Sequence, residues 1–214
     1  MADKGYVNYF EVLDLDEEAK PGEVRKGYKR KMKDLVLEIS RAEITEDRRG
    51  RYLLEMAKLN AAFYVLRDSD KRNRYWQERQ EAMALEDTWR EAAQKGGENA
   101  RGAEALRAPD AARRGFERKL RDFLTHYVEE AMLEAGRDKE CVEASHWDAA
   151  HERHASRILR HYRQSAYQEI LERLPYWDVT PPRVDWDERR RTVAALLHAA
   201  AERASQTAPA GPEA

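Results

Sequence analysis

The chain has 214 residues, 42% hydrophobic and 37% charged, with a formal net charge of −2. That size and apolar share support one or two packed domains, and the charge balance gives no global field for nucleic acid or a membrane surface. The single cysteine, Cys141, excludes an internal disulfide and a cysteine-rich metal centre.

No apolar run approaches the ~20 residues of a membrane helix, and the N-terminus has no apolar core of a signal peptide. A cytoplasmic protein is the expectation. Glu, Arg, Ala and Leu dominate, which favours helices with charged outer faces. The expected fold class is all-α.

Tyr6 to Leu15 predicts a short helix or turn with Phe10 and Leu13 facing inward. Asp14 to Glu18 is an acidic loop. Pro21 suits a first helical turn. From there Val24, Tyr28, Met32 and Leu35 share one face, and Arg25, Lys26, Lys29, Arg30 and Lys33 occupy the opposite one. Thr45 is placed to cap the next helix, with Glu46 and Asp47 in its first turn. Tyr52, Met56, Leu59, Phe63 and Leu66 form its apolar stripe. Asp68-Ser69-Asp70 reads as a turn, and a further helix through Tyr75 and Trp76 continues to about Ala93.

Gln94 to Pro109 contains Gly96-Gly97 and Gly102 and predicts a linker. Residues 110–204 then read as a C-terminal helical domain. Phe116, Leu120, Phe123, Leu124, Tyr127, Val128, Ala131 and Met132 share one face, ended by Gly136. A long helix is expected from Glu140 to Leu174, with Trp147, Ile158, Tyr162, Ile170 and Leu171 in the core. After Pro175–Pro182, Asp185 and Glu188 suit a capping box, and a last helix is expected to bury Val193, Leu196 and Leu197. Residues 205–214 read as a disordered tail.

Four blocks in the first third carry a family resemblance. They are Asn8-Tyr9-Phe10-Glu11-Val12-Leu13, Val24-Arg25-Lys26-Gly27-Tyr28-Lys29-Arg30, Leu59 to Asp68, and Asp70-Lys71-Arg72-Asn73-Arg74-Tyr75. In order and spacing, residues 8–76 resemble the J-domain of DnaJ-like co-chaperones. The resemblance implies an antiparallel helical hairpin whose basic second helix meets an acidic patch on a heat-shock ATPase. It also implies a His-Pro-Asp triplet, which would fall at Val36-Leu37-Glu38, where none of the three residues matches. Gly27 and Lys31 stand where Ala and Leu are usual, which suggests a looser helix pair.

The resemblance therefore implies a J-like adaptor that binds a chaperone, a client or an assembly without stimulating ATP hydrolysis. Arg25, Lys26, Lys29, Arg30 and Lys33 are its candidate protein-binding face. A second reading is a degenerate co-chaperone that docks on the ATPase and restrains it. A third is a nucleic-acid-associated protein using Arg153, Arg157 and Arg160 with His154, His161 and Arg163. Tyr176, Trp177 and Trp186 are a possible second interface.

His151 and His154 lie one turn apart on the expected long helix, but no catalytic carboxylate accompanies them. No phosphate loop, nucleophile motif or cysteine pair is present. The expectation is a non-enzyme without metal or cofactor.

Overall fold

The computed structural model describes residues 6–41, 43–99, 103–174 and 186–206, the side chains of 96–99, 103–109, 150, 186 and 201–206 excepted. All regular elements among the described residues are helical, so the fold is all-α as expected. The chain divides into two compact units, Met1–Tyr176 and Trp177–Ala214.

The first unit is built on a helical hairpin. Helix α1 spans Tyr9–Val12, with the Asn8 side chain accepting from the Phe10 amide. Helix α2 spans Pro21–Ile39 and α3 spans Glu46–Leu66, whose N-cap Thr45 accepts from the Arg48 amide. Tyr28, early in α2, stacks on Phe63, late in α3, with ring centroids 4.3 Å apart and planes 9° from parallel. At the other end Tyr52 donates to Glu38 over 3.5 Å. The two helices are therefore antiparallel. Val24, Tyr28, Met32, Met56, Leu59 and Phe63 are buried between or behind them, while Leu35 is only half-buried.

The second half of α3 is buried on almost every side, Ala57, Leu59, Asn60, Ala61, Ala62, Phe63, Val65 and Leu66 included. A helix apolar all round belongs at the centre of a domain. Helices α1 and α2 pack on it, as do several later helices of the unit.

Helix α4 spans Ser69–Asn99 and α5 spans Ala103–Leu124. Within the expected linker, residues 94–99 continue α4 and 103–109 open α5, while 100–102 lie outside the described residues. The reason is tertiary. The two helices pack on each other, with Trp89 5.7 Å from Phe116 and Lys119 bonded to Glu81 at 2.7 Å. That packing outweighs the weak local propensity of the glycine pair.

Helix α5 runs on through a π-helical segment, Thr125–Glu130, into α6, Ala131–Ala135. The apolar stripe from Phe116 to Met132 is buried throughout.

The expected long helix from Glu140 is two helices, α7 (Lys139–Ser145) and α8 (Ala149–Glu172). His146 ends α7 in the left-handed conformation, φ 52°. Asp148 then caps α8. Its side chain accepts from the His151 amide at 2.9 Å, while its own amide donates to the His151 ring at 3.0 Å. In α8 the buried residues are Ala155, Leu159, Ala166 and Ile170, so Leu159 takes the core position expected of Ile158.

Residues 110–174 consequently share one compact unit with the hairpin, and the separate domain expected over 110–204 is corrected. In the second unit, α9 spans Trp186–Gln206 and includes two residues read as tail. Val193, Leu196 and Leu197 are exposed on it, contrary to their expected burial. Asp185 and residues 207–214 lie outside the described residues.

Candidate protein-docking face

The basic face of α2 is outward as expected: Arg25, Lys26, Lys29, Arg30 and Lys33 are all exposed. Its arginines are drawn into bonds with their own chain. Arg25 lies 3.3 Å from Glu140 at the start of α7, and Arg30 lies 3.1 Å from Asp14 in the loop after α1. Lys26, Lys29 and Lys33 form no ion pair among the described residues.

Val36, Leu37 and Glu38 lie in the last turn of α2 rather than in a loop. Ser40 closes that turn, its amide and hydroxyl both donating to the Val36 carbonyl at 3.2 and 2.7 Å. Glu38 is held by Arg41 at 2.8 Å and accepts from Tyr52. Val36 is half-buried, whereas Leu37 is 59% exposed. Without a proline nothing breaks the helix at these positions.

Two positions read as departures prove to be fitted. Gly27 is buried under the end of α1, where a β-carbon would lie 2.9 Å from the Leu13 carbonyl oxygen. Lys31 reaches back and donates to the Val12 carbonyl at 3.0 Å, satisfying a free carbonyl at the C-terminus of α1. A glycine and a lysine here hold α1 close to α2.

The C-terminal elements lock the hairpin from the other side. Tyr28 donates to Oδ1 of Asn60 at 2.9 Å, Asn60 donates to Ser145 at 3.2 Å, and Ser145 donates to the Cys141 carbonyl at 2.6 Å. Asn60 and Ser145 are buried. Arg67, at the end of α3, binds Asp138 at 2.6 Å and Glu140 at 3.0 Å. Burial pushes the Asp138 carboxyl up, but the bonds from Arg67 and from the Cys141 amide outweigh it and leave the carboxyl below its usual range. The Cys141 thiol is driven up, first by burial and then by the nearby Asp138 charge, so it stays protonated and unreactive near neutrality.

A second lock joins the segment before α1 to α4 and to Arg173, just past the end of α8. Glu86 is fully buried, accepts from Tyr6 at 2.9 Å, and pairs with Arg90 at 3.0 Å and Arg173 at 3.1 Å. Burial opposes its ionisation, yet the bonds from Arg90 and Tyr6 and the Arg173 charge hold its carboxyl below the usual value. Glu86 is not recognisable from the sequence, because it sits in a charged helix with no local signal of burial.

The arginine stripe of α8 is partly neutralised. Arg163 binds Glu129 at 3.0 Å and Thr125 at 2.6 Å, and Arg160 lies 3.9 Å from Glu129. Arg153, His154, Arg157 and His161 are exposed. His151 is used in the α8 cap. Among the described residues no cluster of metal-ligating side chains is present, and no helix is long and apolar enough to cross a membrane. Tyr176, Trp177 and the Trp186 side chain lie outside the described residues.

No protein-family model, no curated protein and no solved structure matches this chain.

Proposed function

We propose that this chain is a J-like protein-interaction adaptor that binds its partner through the lysine face of α2 and does not stimulate ATP hydrolysis. One observation carries the reading. Lys26, Lys29 and Lys33 stand exposed and without ion pairs among the described residues, while Arg25 and Arg30 beside them are satisfied internally. Unpaired surface cations contribute little to folding, but across an interface they set orientation and association rate.

The continuous helix through Val36-Leu37-Glu38 favours binding over triggering. It offers no imidazole, no proline bend and no aspartate where a co-chaperone presents its triplet. The same observation supports the second reading, a domain that docks on a heat-shock ATPase and restrains it.

Hydrolysis of ATP by a heat-shock ATPase from the same cell, in single turnover, tests both. The adaptor reading expects an unchanged rate with this chain alone and with an active co-chaperone present. The restraining reading expects an unchanged basal rate and a reduced co-chaperone effect. Acceleration by this chain alone would reject both.

A further inference from the structure

We infer that Lys26, Lys29, Lys33 and Leu37 form one docking ridge whose partner is an acidic protein helix with an apolar socket for Leu37. The inference rests on the reading above and adds to it an apolar anchor.

The geometry follows from helix period. At about 100° per residue, the four side chains fall within about 80° of arc, and Lys26 to Leu37 spans about 16 Å along the axis. Val24, Tyr28, Met32 and half-buried Leu35 lie on the opposite side, against α3. Leu37 is therefore out of phase with the core of its own helix, and its 59% exposure is a consequence of position. Its two neighbours are engaged by the fold, Val36 by burial and Glu38 by Arg41 and Tyr52.

A single exposed leucine has no meaning by itself. Here it stands at i+11 of a row of lysines at i, i+3 and i+7 that form no ion pair among the described residues, the spacing with which one helix presents a ridge to another. Charge complementarity selects an acidic occupant, and the leucine selects one that can bury an apolar side chain. The phosphates of a nucleic acid satisfy only the first requirement.

The test is selection of binders from a random helical-peptide display library against the full chain, followed by affinity measurement on Leu37→Ser and on Lys29→Glu/Lys33→Glu. All three proteins are first compared by circular dichroism and thermal melting. Leu37 and both lysines lie outside the core, so equal melting is expected.

Selected peptides should be enriched in acidic residues with an apolar position at helical spacing. They should lose affinity to both variants, by about ten- to a hundredfold for Leu37→Ser if that side chain is buried on the partner. Dependence on the lysines but not on Leu37 would overturn this inference and leave the adaptor reading standing. Dependence on neither would overturn both. A 20-nucleotide single strand binding more tightly than any selected peptide, and lost in Lys29→Glu/Lys33→Glu, would place a nucleic acid on the ridge and overturn the inference. Self-association in sedimentation, lost in Lys29→Glu/Lys33→Glu, would place a second copy there and overturn it as well.

Discussion

Tyr28 and Asn60 share a 2.9 Å hydrogen bond at the centre of the first unit, and through Asn60 the bond chain reaches Ser145 on α7. The bond joins the hairpin to the C-terminal elements through groups that have no access to water. Removing one partner leaves the others unsatisfied in a buried site. Asn60→Ala is expected to cost about 2–4 kcal/mol, and Ser145→Ala about 1 kcal/mol. Urea denaturation measures both. A cost near zero for Asn60→Ala would mean that α7 is not docked on the hairpin.

Tyr28 also stacks on Phe63, and both rings are buried. Tyr28→Ala and Phe63→Ala should each cost about 3–5 kcal/mol, the range for deleting a buried aromatic ring. A cost under about 1 kcal/mol, within reach of surface changes, would mean that the pair is not in the core.

Two glycines mark close approaches. A β-carbon at Gly27 would meet the Leu13 carbonyl at 2.9 Å, and one at Gly136 would meet Trp147 Nε1 at 2.8 Å. Gly27→Ala should destabilise although alanine is the better helix former, by about 1–3 kcal/mol for overpacking. Thermal melting decides the sign. Gly22, also in α2 and with open space around it, is the control, and Gly22→Ala should be neutral or stabilising.

Glu86 makes a pH-dependent contribution. Its carboxyl titrates lower in the folded chain than in the unfolded one. Its stabilisation is therefore complete above the ordinary glutamate pKa and is lost as pH falls through the depressed folded value. Glu86→Gln should cost about 1–3 kcal/mol at neutral pH, since hydrogen bonds to a charged group are lost. The variant's stability should also fall less steeply on acidification than the wild type's. Denaturation curves at a series of acidic pH values measure this, and parallel profiles would contradict it.

The sequence was most legible where one periodicity met one face. Thr45 as a cap and the stripe from Phe116 to Met132 were both readable locally. It was least legible where a distant partner decided the outcome. Gly27 and Lys31 looked like poor hairpin residues because their partners, the Leu13 and Val12 carbonyls, are remote in sequence. The break at His146 escaped periodicity because a left-handed residue and the Asp148–His151 cap leave the apolar count of the segment intact. Of the candidate site, the basic face was readable. The pairing that sets Arg25 and Arg30 apart from Lys26, Lys29 and Lys33 was not, because it depends on Glu140 and Asp14.

The most direct test of docking through α2 is affinity capture from native cell extract with the full chain, wild type beside Lys29→Glu/Lys33→Glu. The reversed charges are exposed, so thermal stability should stay within about 0.5 kcal/mol of wild type. The account predicts a protein partner retained by the wild type, lost from the variant, and weakened as salt rises from 0.1 M to 1 M and the Debye length shortens from about 10 Å to about 3 Å. A partner held equally by both chains and at both salt concentrations would contradict it.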